Sequence, residues 1–375
     1  MAAPIRSNVM SPFRHKAIFS ALCGRLTQLR NYSQALIDHE ANDISTGSEM
    51  PFMVPPQVVR KGFEVHPTPR TFTLRPDEKM KWLTKTYLTE GLPDELSSTD
   101  CDKESINFVK DCLHQIFGFQ VHPHRPSNTF FEEELSLGLL QQMMQVAMMT
   151  SPENSQDLFI HRRPLIETNW FRNYVFYHAK YHPSFALRVS DKLPAMKSTF
   201  PLPIDEFPLS MPGPFDTYSI GAYEKSIIRL RNSTGVRHTE HFTKRHLHTV
   251  MQINSQIKGE DFFQACGLAT SFTNLLAIAH DHGHHQGLPL KEPLNCNCII
   301  SNGVSMLFMV YQLNTTEMND DKGIWNRAWC SPLMPLFTPK DGLPTKRQLH
   351  EIADTDKLLN FNEDAVALFL KLLHR

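Results

Sequence analysis

The chain has 375 residues, of which 41% are hydrophobic and 10% aromatic, which excludes a disordered polar tail and suffices for one large or two medium domains. Its 38 Lys and Arg nearly balance 39 Asp and Glu, so it cannot coat nucleic acid by bulk positive charge. Any RNA contact must come from a local patch or from shape.

Charge is not evenly spread. Residues 1–37 carry five basic side chains, Arg6, Arg14, Lys16, Arg25 and Arg30, and no Asp or Glu. Phe13, Ala17, Ile18, Ala21, Leu22, Leu26 and Leu29 recur at helical spacing, so a helix here opposes an apolar stripe to a basic face. A secretory signal needs an unbroken apolar core of about 7–15 residues, and Arg14, His15, Lys16 and Arg25 interrupt it. The expectation is a mitochondrial presequence, or transit peptide, over 1–32, cut after Tyr32 with Arg30 in the processing position. Its loss leaves 33 basic against 39 acidic side chains, a mature charge of −6. The bland alternative is a basic disordered tail.

Residues 33–75 are expected as an extended Pro-rich arm, because Pro51, Pro55, Pro56, Pro67 and Pro69 preclude a long helix. Pro76 suits a first helical turn, with Asp77 and Glu78 behind it and Gly91 as a stop, which predicts a helix over 76–90. Val109, Cys112, Leu113 and Ile116 share one face of a second helix, 103–117. A third, opened by Asn128-Thr129 and Glu132-Glu133-Glu134, runs to Met149, and its Met143, Met144, Met148 and Met149 are expected to fill a core, an adaptable partner surface being the alternative. Apolar and aromatic runs at 158–160, 170–177 and 185–189 predict two or three strands. Six prolines between Pro194 and Pro214 mark a linker and a soft boundary between regions 76–193 and 215–375.

Farther on, Phe262–Ala279 is uncharged and about the length of a membrane span. Five polar residues inside it and acids at its flanks favour a buried core helix over 260–282. Leu294–Ile300 and Val304–Leu313 flank Ser301-Asn302-Gly303 and predict a hairpin, with the second run a central strand because both its faces are apolar. Asn362 caps a closing helix, with Phe361 stapled onto Val366 and Lys371, His374 and Arg375 at its end. The fold class is α+β: a helical N-terminal half with a few strands, then a C-terminal antiparallel sheet packed by helices.

Chemistry is sparse. The chain lacks GxGxxG, P-loop, GxSxG and HExxH motifs. Cys101, Cys112, Cys266, Cys296, Cys298 and Cys330 form no CxxC and read as buried thiols. His280-Asp281 resembles the pair of metal-dependent phosphohydrolases, with His246 and Asp354 or Asp356 as further ligands. Against it, Gly283 stops a helix whose last-turn histidines meet the negative dipole end, and that hydrolase class is all-helical. No catalytic residue, metal site or cofactor is therefore assigned. The RNA-facing candidates are Lys225, Arg229, Arg231, Arg237, Lys244 and Arg245, in a stretch of net charge +5 over 24 residues; a solvated helix face or loop is the alternative. His161-Arg162-Arg163 is a smaller patch.

Several phrases together resemble a known family: Trp82-Leu83-Thr84-Lys85-Thr86, Glu90-Gly91-Leu92-Pro93, the run Met309-Val310-Tyr311-Gln312-Leu313-Asn314-Thr315-Thr316, Trp329-Cys330, and Asn360-Phe361-Asn362-Glu363-Asp364. The chain is similar to the metazoan mitochondrial ribosomal protein family whose paralogues are small-subunit protein thirty, or programmed cell death protein nine, and large-subunit protein thirty-seven. The C-terminal phrase looks closer to the first branch, while the Trp-Leu-Thr-Lys phrase leans to the second. The resemblance implies a non-catalytic component of the mitochondrial large ribosomal subunit, in the matrix, without cofactor. Its implied neighbours are the paralogue, other mitochondrial ribosomal proteins and large-subunit rRNA, with no membrane and no small-molecule substrate. Rival readings are the metal-dependent phosphohydrolase and a matrix protein-interaction adaptor outside the ribosome.

Overall fold

The computed structural model describes residues 58–67, 75–97, 103–120, 129–150, 157–173, 175–196, 222–236, 242–255, 257, 259–284, 289–319, 323–336 and 361–375. The presequence, the start of the arm, most of 194–214, Arg237, Asp354 and Asp356 lie outside these residues. The described elements are, in chain order, β1 (Val58–Val65), α1 (Pro76–Leu83), β2 (Thr86–Glu90), α2 (Asp94–Ser97), α3 (Lys103–Gln120), α4 (Thr129–Thr150), β3 (Phe159–Arg162), β4 (Ile166–Arg172), β5 (Val175–Tyr181), β6 (Phe185–Val189), β7 (Ala222–Arg229), β8 (Ser233–Thr234), β9 (His246–Ile253), α5 (Glu260–Asp281), β10 (Pro289–Ser301), β11 (Ser305–Thr315), β12 (Asn326–Cys330), β13 (Met334–Pro335) and α6 (Glu363–Leu373).

Two mixed sheets result. Sheet 1 has the order β7-β1-β5-β4-β8, and sheet 2 the order β2-β12-β11-β10-β9-β6-β3, with β13 beside β11. In β11, side chains alternate between two cores. Met306, Phe308 and Val310 meet α3, α4 and α6, while Leu307, Met309, Tyr311 and Leu313 meet α5. Sheet 2 is thus covered on both faces, and β11 is the central strand its apolar run predicts. On the far side of α5, Trp170 of β4 and Tyr177 and Ala179 of β5 close the second core, so α5 lies between the sheets. Its uncharged interior is buried, and two of its polar residues reach across to β5: Asn274 Nδ2 donates to Tyr181 Oη at 2.7 Å and Thr273 Oγ1 lies 2.9 Å from the same oxygen. This is the core helix expected from residues 262–279.

Several predicted elements change. The helix expected over 76–90 ends at Leu83, and 86–90 form β2, parallel to β12 from Asn326↔Thr86 to Cys330↔Glu90. The β-prone Thr86, Tyr87 and Thr89 gain a sheet partner that helix periodicity cannot reveal. The run 170–177 is broken by Asn173, at φ 49, into the β4–β5 hairpin, so four strands stand where two or three were expected. The arm contributes β1, paired with β5 and β7. The C-terminal sheet is mixed, not antiparallel, because α5 acts as the crossover between parallel β9 and β10. Strands on either side of 194–214 share both sheets, through β4–β8 and β6–β9 pairing, and Pro56–Arg375 is one unit. The stretch 225–248, whose bland reading was a helix face or loop, contains β7, β8 and the start of β9.

Local signals elsewhere act as read. Asn362 Oδ1 accepts from Ala365 N at 3.1 Å to cap α6, and Gly283, at φ 80, follows α5. In the β10–β11 hairpin only Gly303 takes a positive φ; Asn302 instead accepts Val304 N and Ser305 N through Oδ1, at 3.0 and 2.8 Å.

Gly267 sets how closely α5 approaches β11, since a Cβ there would lie 2.9 Å from Met309 Cε. Gly267→Val should lower stability by roughly 1–3 kcal/mol through overpacking. Gly267→Ala should change it little, because the displaced atom ends a flexible side chain and alanine favours the helix. Urea unfolding of the two variants checks this.

Candidate functional site

Two of the phrases that carry the family resemblance, Trp82–Thr86 and Met309–Thr316, meet at one buried turn. Between α1 and β2 the chain passes through Thr84 and Lys85, the latter at φ 48 and fully buried. Such a turn exposes carbonyls that an interior cannot leave unpaired. Trp82 O accepts Arg172 Nε at 3.0 Å, Leu83 O accepts Trp170 Nε1 at 3.3 Å, and Thr84 O accepts Asn326 Nδ2 at 3.0 Å. Lys85 O accepts Asn326 N at 3.0 Å. The Lys85 ammonium donates to Glu317 O at 2.9 Å, and Arg172 also donates to Met318 O while its guanidinium lies 4.8 Å from the Trp82 ring centre. Thr86 Oγ1 lies 2.6 Å from Tyr311 Oη, and Asn326 Oδ1 accepts Asn314 N and Thr315 N at 2.9 and 3.1 Å. Gly91 N donates to Cys330 O at 2.7 Å. Phrases some 230 residues apart in sequence are therefore one network, and its chemistry is structural.

A second tie joins the sheets through Arg188, which is 1% exposed and donates from β6 to Arg245 O at 3.2 Å and to Thr234 O. Burial lowers its pKa to about 10, opposed by Asp281. The buried cysteines are poor nucleophiles: burial pushes the Cys298 thiol up to about 12, and those of Cys266, Cys296 and Cys330 also rise.

At the phosphohydrolase candidate, His280 closes α5, with Nδ1 3.3 Å from Thr168 Oγ1, and the His246 and His282 rings meet edge to face at 5.9 Å. Among the described residues no group of three or more His, Cys, Asp or Glu is placed to hold a metal.

The six basic candidates separate. Lys225 and Arg229 lie on β7 and Arg231 just beyond, and all three line an open cavity of about 250 Å³ with Glu64, Glu167, His178 and Lys180. Lys225 Nζ is 2.5 Å from Glu64 Oε2. Lys244 lies on the sheet 2 side and is committed to Asp157, donating to its carbonyl at 2.6 Å and to its carboxylate. The Lys244 hydrogen bond, with Ser190, holds the Asp157 pKa at about 2. Arg245 is exposed and donates to Phe242 O at 3.4 Å. Sequence reasoning missed Glu64, Glu167, His178 and Lys180. They come from three other strands and have no common spacing.

A family model described as Mitochondrial 28S ribosomal protein S30 (PDCD9) matches residues 233–374, which hold β8 to β13, α5 and α6. Large ribosomal subunit protein mL37 of Rattus norvegicus is 23% identical over 272 residues, covering 66% of this chain and 60% of that protein. The Bos taurus and Mus musculus proteins of the same name are 23% identical over 262 and 264 residues, with the same shares. The chain is thus similar to the PDCD9/mL37 family of mitochondrial ribosomal proteins. The family model bears the name of one branch and the curated relatives that of the other. The chain spans about 60% of the length of the curated relatives it matches. The matched C-terminal segment includes Tyr311, Asn314, Thr315 and Asn326, which bond at or beside the buried turn.

Asn326→Ala removes three side-chain hydrogen bonds and leaves Thr84 O and two backbone N–H groups without them. The expected loss is on the order of 3 kcal/mol or more, read from urea unfolding. His248, buried and 2.8 Å from Thr249 Oγ1, has its pKa lowered to about 4 by burial, then by Arg375 and His374. The unfolded chain therefore binds a proton below about 6.5 that the folded chain refuses. Its contribution, on the order of 3 kcal/mol, is present above pH 6.5 and is lost as pH falls toward 4. Thermal melts between pH 7 and 4 should show a flatter decline for His248→Gln.

Proposed function

We propose that the chain is a non-catalytic structural constituent of the mitochondrial large ribosomal subunit, working in the matrix in mitochondrial translation. The observation that carries this reading is the similarity to relatives named for the large subunit, together with the meeting of Trp82–Thr86 and Met309–Thr316 at one buried turn. Residues 1–32 would serve as the transit peptide. Neighbouring mitochondrial ribosomal proteins, the paralogue among them, and large-subunit rRNA are the partners.

On this reading the rRNA contact belongs to Lys225, Arg229 and Arg231, to Arg237, which is outside the described residues, and to Arg245 on the sheet 2 side. Lys244 and Lys225 contribute less than the arginines, because Asp157 and Glu64 already neutralise them. An acidic mature chain needs such a local patch, since phosphate contacts position a protein on RNA without requiring overall positive charge.

Sucrose-gradient sedimentation of mitochondrial lysate, with the protein tracked against both rRNAs, should place it with the large subunit. Sedimentation away from either heavy particle, or substrate turnover by purified protein, would overturn the proposal. The triple variant Arg229→Glu, Arg231→Glu, Arg237→Glu should fold normally by circular dichroism yet incorporate several-fold less well. Unchanged incorporation would make the basic stretch a solvated surface.

A further inference from the structure

The cavity on sheet 1 has a layered chemistry. Its floor holds Glu167 and His178, each 5% exposed, with His178 Nε2 3.2 Å from Glu167 Oε1. A carboxylate only accepts, so Nε2 carries the proton and Nδ1 of the neutral ring is an acceptor. That Nδ1 is buried and has no hydrogen-bond partner among the described residues. Glu64 stands beside it, salt-bridged to Lys225, while Lys180 Nζ lies 3.8 Å from Glu167 Oε2. One wall is Ile227, a large apolar side chain left 62% exposed. At the rim Arg229 and Arg231 are exposed, and their guanidinium groups have no partner among the described residues.

Glu64 is paired with Lys225 and Glu167 with Lys180, so the floor has no spare cation to hold a free anion. The floor instead offers acceptors to a neutral group rich in N–H or O–H donors. The rim offers two planar guanidinium forks suited to phosphodiester oxygens. The apolar wall gives a flat ring something to lie against. At about 250 Å³ the space takes a base but not a stem.

We propose that this cavity receives one unpaired rRNA nucleotide, its base or ribose donors bonded to His178 and Glu167, its flanking phosphates held by Arg229 and Arg231. This rests on the ribosomal reading above and deepens it: the patch selects a looped-out nucleotide, as RNA readers do, not a duplex face. Bases with an exocyclic amine suit the floor. Uracil, with two carbonyls beside its one N–H, meets acceptor against acceptor.

Fluorescence anisotropy of the purified full chain with eight-nucleotide oligo(A), oligo(C) and oligo(U), and with a hairpin duplex, tests this directly. Oligo(A) and oligo(C) should bind about tenfold tighter than oligo(U), and single strands tighter than duplex. His178→Phe should bring the oligo(A) to oligo(U) ratio near one while leaving the salt slope unchanged. Arg229→Ala with Arg231→Ala, both exposed, should reduce the slope of log K against log salt by about 1.4 and keep the base preference. Equal binding of all four probes, a ratio unmoved by His178→Phe, or a slope unmoved by the double arginine variant overturns the proposal. Wild-type sedimentation separates the two failures. If the chain still runs with the large subunit, only the nucleotide site falls; if it does not, the ribosomal reading falls first.

Discussion

Everything in this fold leans on the need to satisfy the carbonyls of one turn. Trp82 to Lys85 turn from a helix into a strand inside the protein, where an unpaired carbonyl costs about 1–3 kcal/mol. Arg172 and Trp170 reach in from sheet 1, and Asn326 from sheet 2. The same bonds that make the turn possible hold the two sheets in register around α5. A charged guanidinium with carbonyl partners and a tryptophan face beneath it is tolerable in such an interior, where an unbonded one would not be.

This arrangement separates what identifies the chain from what it touches. The family-bearing side chains are turned inward and spent on backbone groups. The face proposed here to meet a partner is made of Arg229, Arg231, Ile227 and the polar floor behind them, drawn from β1, β4, β5 and β7. A protein that works by fitting into a larger particle needs a rigid interior and a surface of local chemistry, and its net charge need not match that of RNA.

Local rules were readable in the residues. Asn362 capped a helix, Gly283 stopped one, Asn302-Gly303 turned a hairpin, and doubly apolar 304–313 became a central strand. Residues 86–90 misled because their preference for a strand is realised only beside β12, more than 230 positions away. The parallel β9–α5–β10 crossover was hidden for the same reason: a strand's pattern reports burial, not the direction of its neighbour. The basic stretch 225–248 looked like one patch, but Lys225, Arg229 and Arg231 lie on sheet 1 while Lys244 faces Asp157.

From the linear chain alone came a globular α+β protein, a basic and acid-free stretch over residues 1–37, a buried central helix and a likeness to mitochondrial ribosomal proteins. Each rests on composition or on neighbours within a few turns of one another, which sequence order preserves. Folding settled which carbonyls Asn326 and Arg172 would meet, that Glu167 and His178 would share a cavity with distant arginines, and that Lys244 would be neutralised. Those facts depend on strands brought together from far apart, and long-range pairing leaves no periodic trace in the residues it joins.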